Sequence, residues 1–246
     1  MLIRTRLISG LLSLLAVVVA APGVSSGVTS EDEPRELIRE GRYRMTYFGR
    51  TLAEETFRIE RTPTGYEIKA TFRPNRGDQV PSTSTYVLDR SRRLVSATWK
   101  PLEGGVSASY RVEGNVVIAE ASNGETQRVT LGPGQSVTGP HYVTDFFVLK
   151  PLGLDVGETH DKVCFAFGFK DWRLHRCELD IERVENRRID APEGGRTSTV
   201  VYRCEIRTSG DTYRTRSYLD DRGVSLKIKV GAPLGEATVY VAEQAT

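Results

Sequence analysis

Chemistry in this 246-residue chain would have to start from three histidines, three cysteines and an adjacent pair of glutamates. His141, His160 and His175 lie far apart in sequence. An acid–base site would need the fold to bring His141, His175 and a carboxylate together, so surface or packing roles are the expectation. Glu54 and Glu55 are neighbours, and in a strand neighbours point to opposite faces, which makes them a poor acid–base pair; both read as solvated. The run Gly105-Val106-Ser107-Ala108-Ser109 lacks the second glycine of a nucleophile elbow and falls in a strand-like segment. Cys164, Cys177 and Cys204 show no Cys-x-x-Cys spacing, and no His-x-x-x-His is present, so no zinc site is expected. An odd cysteine without a histidine at a recognisable spacing reads as a packed thiol rather than a nucleophile. The expectation is a protein that is not an enzyme, with no cofactor and no metal.

The N-terminal MLIRTRLISGLLSLLAVVVAAPG sets Arg4 and Arg6 ahead of an apolar run from Leu11 to Ala21, the form of a secretory signal. That run is shorter than the ~20 apolar residues a spanning helix needs, so no stable membrane span is expected once the signal is removed. Residues 1–27 are read as signal and small-residue spacer, residues 28–40 as an acidic lead-in, and residues 41–246 as one β-rich domain. The whole chain carries a formal charge of +2. Losing Arg4 and Arg6 brings it to zero, which argues against a nucleic-acid partner, because that class needs a basic excess. Export would place the cysteines in an oxidising compartment. There a Cys164–Cys177 bridge across consecutive strand-like segments is slightly favoured, with Cys177–Cys204 and three reduced thiols as the alternatives.

The elements that must hold these residues are mostly strands. EDEPRELIREG is the one polar helix signal, with Pro34 in its first turn and Gly41 stopping it. From there the apolar period is two. Tyr43, Met45 and Tyr47 alternate in GRYRMTYFG, and Tyr66, Ile68, Ala70 and Phe72 alternate in GYEIKATFR. Turn signals recur at hairpin spacing, including Phe48-Gly49-Arg50, Pro63-Thr64-Gly65 and Asn123-Gly124. TGPHYVTDFFVLKPLG interrupts the pattern with a nearly continuous apolar run, which fits either a short buried helix or plug, or a buried strand. Strands resume in KVCFAFGFK, where Phe165, Phe167 and Phe169 should share a face, and continue to the C-terminus. About a dozen strands exceed what a flat layer holds. The fold class is therefore mainly β: a strongly curved antiparallel sheet or incompletely closed β-barrel with one or two short helices.

One motif is written twice. STYVLDRSRRLVSATWK, from Ser84, and RSYLDDRGVSLKIKV, from Arg216, align at an offset of 132, pairing Tyr86 with Tyr218, Asp89 with Asp221 and Leu94 with Leu226. Each reads as a hairpin whose aspartate bonds its own turn backbone. On this alignment Tyr86, Leu88, Tyr218 and Asp220 occupy corresponding faces of one curved sheet, with the Asp220 end less buried.

The second of these segments, continuing into Ala-Pro-Leu-Gly and the last strand, resembles the C-terminal part of the DUF3108-like secreted proteins. The opening GRYRMTYFGRTLAEETFRIERTPTGYEIKATF resembles the start of the same group. Such proteins are similar in architecture to the lipoprotein-carrier folds, in which helices cover an apolar cavity in an incompletely closed barrel. The resemblance implies binding of a lipid or acyl chain, or a role in envelope maintenance, without catalytic residues.

These features together lead to a periplasmic or secreted protein that binds a lipid or other apolar small molecule within a curved sheet. The cavity candidates are Phe146, Phe147, Phe165, Phe167, Phe169, Trp99 and Trp172. The alternative is an envelope interaction or assembly module that presents Arg203, Arg207 and Arg214 to a protein partner.

Overall fold

The computed structural model describes residues 34–75, 80–168, 171–191, 194–210, 212–232 and 235–242, the last by backbone alone. Fifteen strands are present among them. The first eight are β1 (Glu36–Tyr47), β2 (Arg50–Thr62), β3 (Gly65–Pro74), β4 (Ser82–Asp89), β5 (Leu94–Pro101), β6 (Ala108–Glu113), β7 (Val116–Ala121) and β8 (Thr126–Thr130). The remainder are β9 (Ser136–Thr138), β10 (Thr159–Ala166), β11 (His175–Asp190), β12 (Arg196–Arg207), β13 (Thr212–Leu219), β14 (Ser225–Ala232) and β15 (Gly235–Ala242). All belong to one sheet, in the order β8-β7-β6-β5-β4-β3-β2-β1-β15-β14-β13-β12-β11-β10-β9. Every pairing is antiparallel except the short β9–β10 ladder.

This order forces curvature. Laid flat, fifteen strands at about 4.8 Å spacing would span roughly 67 Å. Yet β8 and β9, the two edges, are joined by residues 131–135 alone, a stretch that reaches about 20 Å at most. The sheet therefore wraps until its edges approach, and the ladder stays open at the seam. Side chains fasten the seam instead. The Gln127 amide donates to the Leu174 carbonyl (3.2 Å) and accepts from the Leu174 N–H (2.8 Å), standing in for the missing backbone partner. Arg173 pairs with Glu125 (2.6 Å), and the Tyr110 hydroxyl donates to the Trp172 carbonyl.

Two like meanders make up the wall. The consecutive strands β1 to β6 and β10 to β15 each run in chain order, with β1 against β15. The twin motif is the fourth-to-fifth strand turn of each meander, and its true offset is 131. Asp89 N–H donates to the Arg93 carbonyl and Asp220 N–H to the Val224 carbonyl, both at 2.9 Å. The N–H groups of Arg92 and Gly223 return to the carbonyls of Asp89 and Asp220. The aspartate side chains accept from Arg93 N–H (2.9 Å) and Val224 N–H (2.8 Å). Both ladders shift register at the same point, between Val87 and Leu88 and between Tyr218 and Leu219. A one-residue slip exchanges faces, so the counterparts of Tyr86 and Leu88 are Ser217 and Leu219. Tyr218 faces the other side, and Asp220 is buried (6% exposed) rather than more open.

The acidic lead-in is not helical where it is described: Glu36–Glu40 already form the start of β1, paired with β2. Ladder hydrogen bonds along twelve residues outweigh a single polar helical turn, which is marginal in isolation. The signal segment, residues 28–33 and Phe169 lie outside the described residues.

Inside the curve runs a plug. Pro140 to Leu152 leaves the wall after β9 and forms a 3₁₀ turn (Tyr142–Thr144), a one-turn helix α1 (Asp145–Val148) and a second 3₁₀ turn (Lys150–Leu152). Of the two readings of the apolar run, the helical plug is the one adopted. Val143, Phe146, Phe147, Val148 and Leu149 are all buried in the main core, each contributing roughly 1.5–3 kcal/mol of burial.

Candidate functional site

The plug and the wall around it form the candidate site, and its polar contacts set it apart from an ordinary core. In β2 the inward series is Ala53, Glu55, Phe57 and Ile59, all buried. Glu55 thus lies on the apolar face and is fully buried, against the expectation that it would be solvated. Its neighbour Glu54 points outward and pairs with Arg44 (3.1 Å). The two Glu55 carboxylate oxygens accept from the N–H groups of Tyr142 (2.8 Å) and Val143 (3.0 Å). These are donors that the start of the plug would otherwise leave without partners. Burial pushes the Glu55 carboxyl up to about 8, against the opposing effect of the two N–H donors.

One residue upstream, His141 sits against β4, where its Nδ1 is 2.7 Å from the Tyr86 hydroxyl. Burial lowers its pKa to about 3, so the ring is neutral. The chain comes so close here that a Cβ on Gly139 would fall 2.1 Å from the Tyr86 hydroxyl oxygen. Further along, the Asp145 carboxylate accepts from the Ser225 hydroxyl (2.7 Å), and burial raises its pKa. At its exit, Lys150 donates to the Asp221 carbonyl (2.8 Å) and Arg92 to the Phe146 carbonyl (3.2 Å), with the Arg92 guanidinium 3.9 Å over the Phe146 ring.

Most of the aromatic candidates converge. Trp99, Phe146, Phe147, Phe167 and Trp172 all enter one core cluster. Phe167 stacks on Tyr110 at 3.9 Å, and Tyr86 lies 5.5 Å from Phe147 and 6.1 Å from Phe167. Phe165 and Phe167 do not share a strand face as expected. Cys164 and Ala166 are buried on one face of β10; Phe165, at the alternate position, is half-buried and packs against the same core, while Phe167 is fully buried just after the strand ends at Ala166. The sequence reading also missed Tyr43, Tyr86, Tyr110, Glu55 and Asp145 as site residues. The signal for Glu55 was present, a carboxylate standing in an inward series of apolar residues.

The expected Cys164–Cys177 bridge is not formed, and all three cysteines are free. The strand argument placed the two correctly, for they stand opposite one another on β10 and β11. Burial pushes the Cys177 thiol up to about 11 and raises Cys164 and Cys204 as well, which suppresses thiolate chemistry. The histidines do not converge either: His175 is exposed and bonded to Asp171 (2.8 Å), away from buried His141. No group of three or more His, Cys, Asp or Glu side chains suited to a metal occurs among the described residues. Arg203, Arg207 and Arg214 are engaged within their own sheet, with Glu182, with Asp180 and Glu205, and with Glu205. No described helix is long and apolar enough to cross a membrane.

No known family's sequence profile matches the chain, and no curated protein sequence matches it. The likeness to the DUF3108-like proteins therefore rests on the quoted segments alone. Among solved structures, the chain is similar to a β-barrel-like protein of the domain of unknown function DUF1849 from Brucella abortus, with a TM-score of 0.59 at 11% identity. That match covers 87% of this chain and 99% of the other. A DUF1089 family protein from Pseudomonas aeruginosa is more distant, with a TM-score of 0.43 at 14% identity over 88% of this chain and 95% of that one. The first likeness defines the class, a β-barrel-like curved sheet, and at that identity it speaks to fold alone.

Proposed function

We propose that this is a non-enzymatic periplasmic or secreted protein that holds a lipid or other apolar molecule inside its curved sheet, in the space that Phe146, Phe147, Val148 and Leu149 of the plug now fill. One observation carries the reading: the interior is filled by a segment that belongs to no strand. An apolar chain could replace that segment without breaking a single ladder pairing. The polar anchors of the plug support the same view. Glu55 and Asp145 are carboxyl groups that burial pushes toward the protonated form, and burying polar groups costs stability unless they are fully bonded. A plug that exists only to fill the barrel would be held better by apolar contacts alone. The leader and the DUF3108-like resemblance favour export and a greasy cargo.

The test is native mass spectrometry and solvent extraction of protein purified from its own envelope. It is paired with titration of a fluorescent acyl probe into wild-type protein and a Phe147→Ala variant, which enlarges the interior. A co-purifying lipid, and tighter probe binding by the variant, are expected. The reading is overturned if no lipid is recovered and neither protein binds the probe.

A further inference from the structure

The turns that close the wall at the plug's exit share a feature that the interior does not explain. Their cations are bonded to carbonyl oxygens, not to carboxylates. Arg90 donates twice to the Pro63 carbonyl (3.2 and 2.8 Å), and Arg92 donates to the carbonyls of Phe146 (3.2 Å) and Arg222 (3.0 Å). Arg222 in turn donates to the Ile38 carbonyl (2.8 Å), and Lys150 to that of Asp221 (2.8 Å). Arg93 is exposed beside them. A carbonyl satisfies a guanidinium's hydrogen bonds without cancelling its charge. Nearby, Arg39 is offset by Asp220 and Arg61 by Glu36. That leaves Arg90, Arg92, Arg93, Lys150 and Arg222 set against Asp89 and Asp221, with Asp155 and Glu158 on the following loop and Glu31, Asp32 and Glu33 just ahead of β1 in sequence. The outer sheet faces are different: there Arg44, Arg58, Arg203, Arg207 and Arg214 are each paired with a carboxylate.

Two further observations fall on the same rim. Leu37 is 45% exposed next to the Ile38 carbonyl that receives Arg222, and Pro151 is exposed beside Lys150. The chain also enters the wall here, through β1.

We propose that this rim, made by the two aspartate-initiated turns and the end of the plug, docks on the surface of an anionic phospholipid bilayer. Uncancelled guanidinium and ammonium groups meet headgroup phosphates, while Leu37 and Pro151 reach the interfacial layer. The surface stands whether or not the interior takes a ligand, so it can succeed or fail separately from the carrier reading.

The test is co-sedimentation of the full chain with phosphatidylcholine vesicles, with and without phosphatidylglycerol. Wild type is compared with the triple variants R90E/R93E/R222E and R90K/R93K/R222K. Binding to the anionic vesicles should drop about tenfold or more in the glutamate variant, persist in the lysine variant, and weaken as salt shortens the screening length. An environment-sensitive dye on Ser91→Cys, in the first turn, should shift to the blue on anionic vesicles. The same dye on Glu103→Cys, at the other end of β5, should not. Unchanged binding by the glutamate variant overturns the proposal. So does a shift at position 103 in place of 91, and the dye result decides the matter even if the glutamate variant does not fold.

Discussion

The turn at Asp89 and the turn at Asp220 have the same hydrogen bonds and the same register shift, yet they face the plug with different side chains. Where the first meander offers Tyr86 and Leu94, the second offers Ser217 and Ser225, at the shared offset of 131. The fourth residue of the turn has positive φ in both, Arg92 at 63° and Gly223 at 88°. A Cβ on Gly223 would fall 2.5 Å from Lys150 Cγ, so glycine is favoured there both by its positive φ and by the close approach of Lys150. Arg92 bears its left-handed conformation and in return covers Phe146. One backbone device is thus used twice, once with a large aromatic wall and once with small hydroxyls. The plug is keyed to both, His141 to Tyr86 and Asp145 to Ser225. A repeated backbone fixes where a segment can lie, and the unlike side chains fix which way it faces.

Making the first half like the second should have the largest effect. Tyr86→Ser removes a fully buried ring and the partner of His141, and it should cost about 3–5 kcal/mol in chemical denaturation. A loss under about 1 kcal/mol would show that the space beside the plug readily collapses and that the aromatic wall is not what holds it.

The two turn aspartates sharpen the comparison at a smaller scale. Asp220 is buried, and beyond its turn it accepts from Arg39 (3.4 Å). Among the described residues, Asp89 bonds only its own turn, and it is half-buried. Asp220→Ala should therefore cost about 2–3 kcal/mol and Asp89→Ala about 1 kcal/mol. Equal losses would mean that turn geometry alone is being measured.

The subtlest difference is in pH dependence, because Glu55 serves only the first-half end of the plug. Its folded pKa of about 8 lies above the ordinary 4.5, so the folded state binds the extra proton. The stability linked to it is fully present below about pH 4.5 and is lost as pH rises through 8. His141 acts oppositely. Its folded pKa of about 3 lies below 6.5, so its neutral burial costs stability as pH falls below 6.5. Glu55→Gln should flatten the decline between pH 4.5 and 8 in thermal melts and leave the acid limb in place. An unchanged alkaline limb would rule out Glu55 as its source.

Much of this architecture follows from local sequence. Period-two alternation in β2 to β5 and glycine-bearing turns dictate a meander, because a strand face either meets the core or meets water. The same local rule makes the Asp-initiated turn wherever its residues occur. It could not set the register between the two copies, since offsets of 131 and 132 match comparable residues and differ only in which face turns inward. The inward alternation of Ala53, Glu55, Phe57 and Ile59 likewise fixed the direction of Glu55. That a carboxylate could remain there depended on two N–H groups arriving from residues 87 and 88 positions away. The lead-in carried a helical cue, but pairing with β2 over the whole of β1 supplied more hydrogen bonds than one helical turn can. The closure of the sheet, the helical choice of the plug, the separation of His141 from His175 and the convergence of carbonyl-bonded cations on one rim are all contacts between distant parts of the chain. Sequence spacing says nothing about such distances; they exist only once a five-residue link draws the two edges of a fifteen-stranded sheet together.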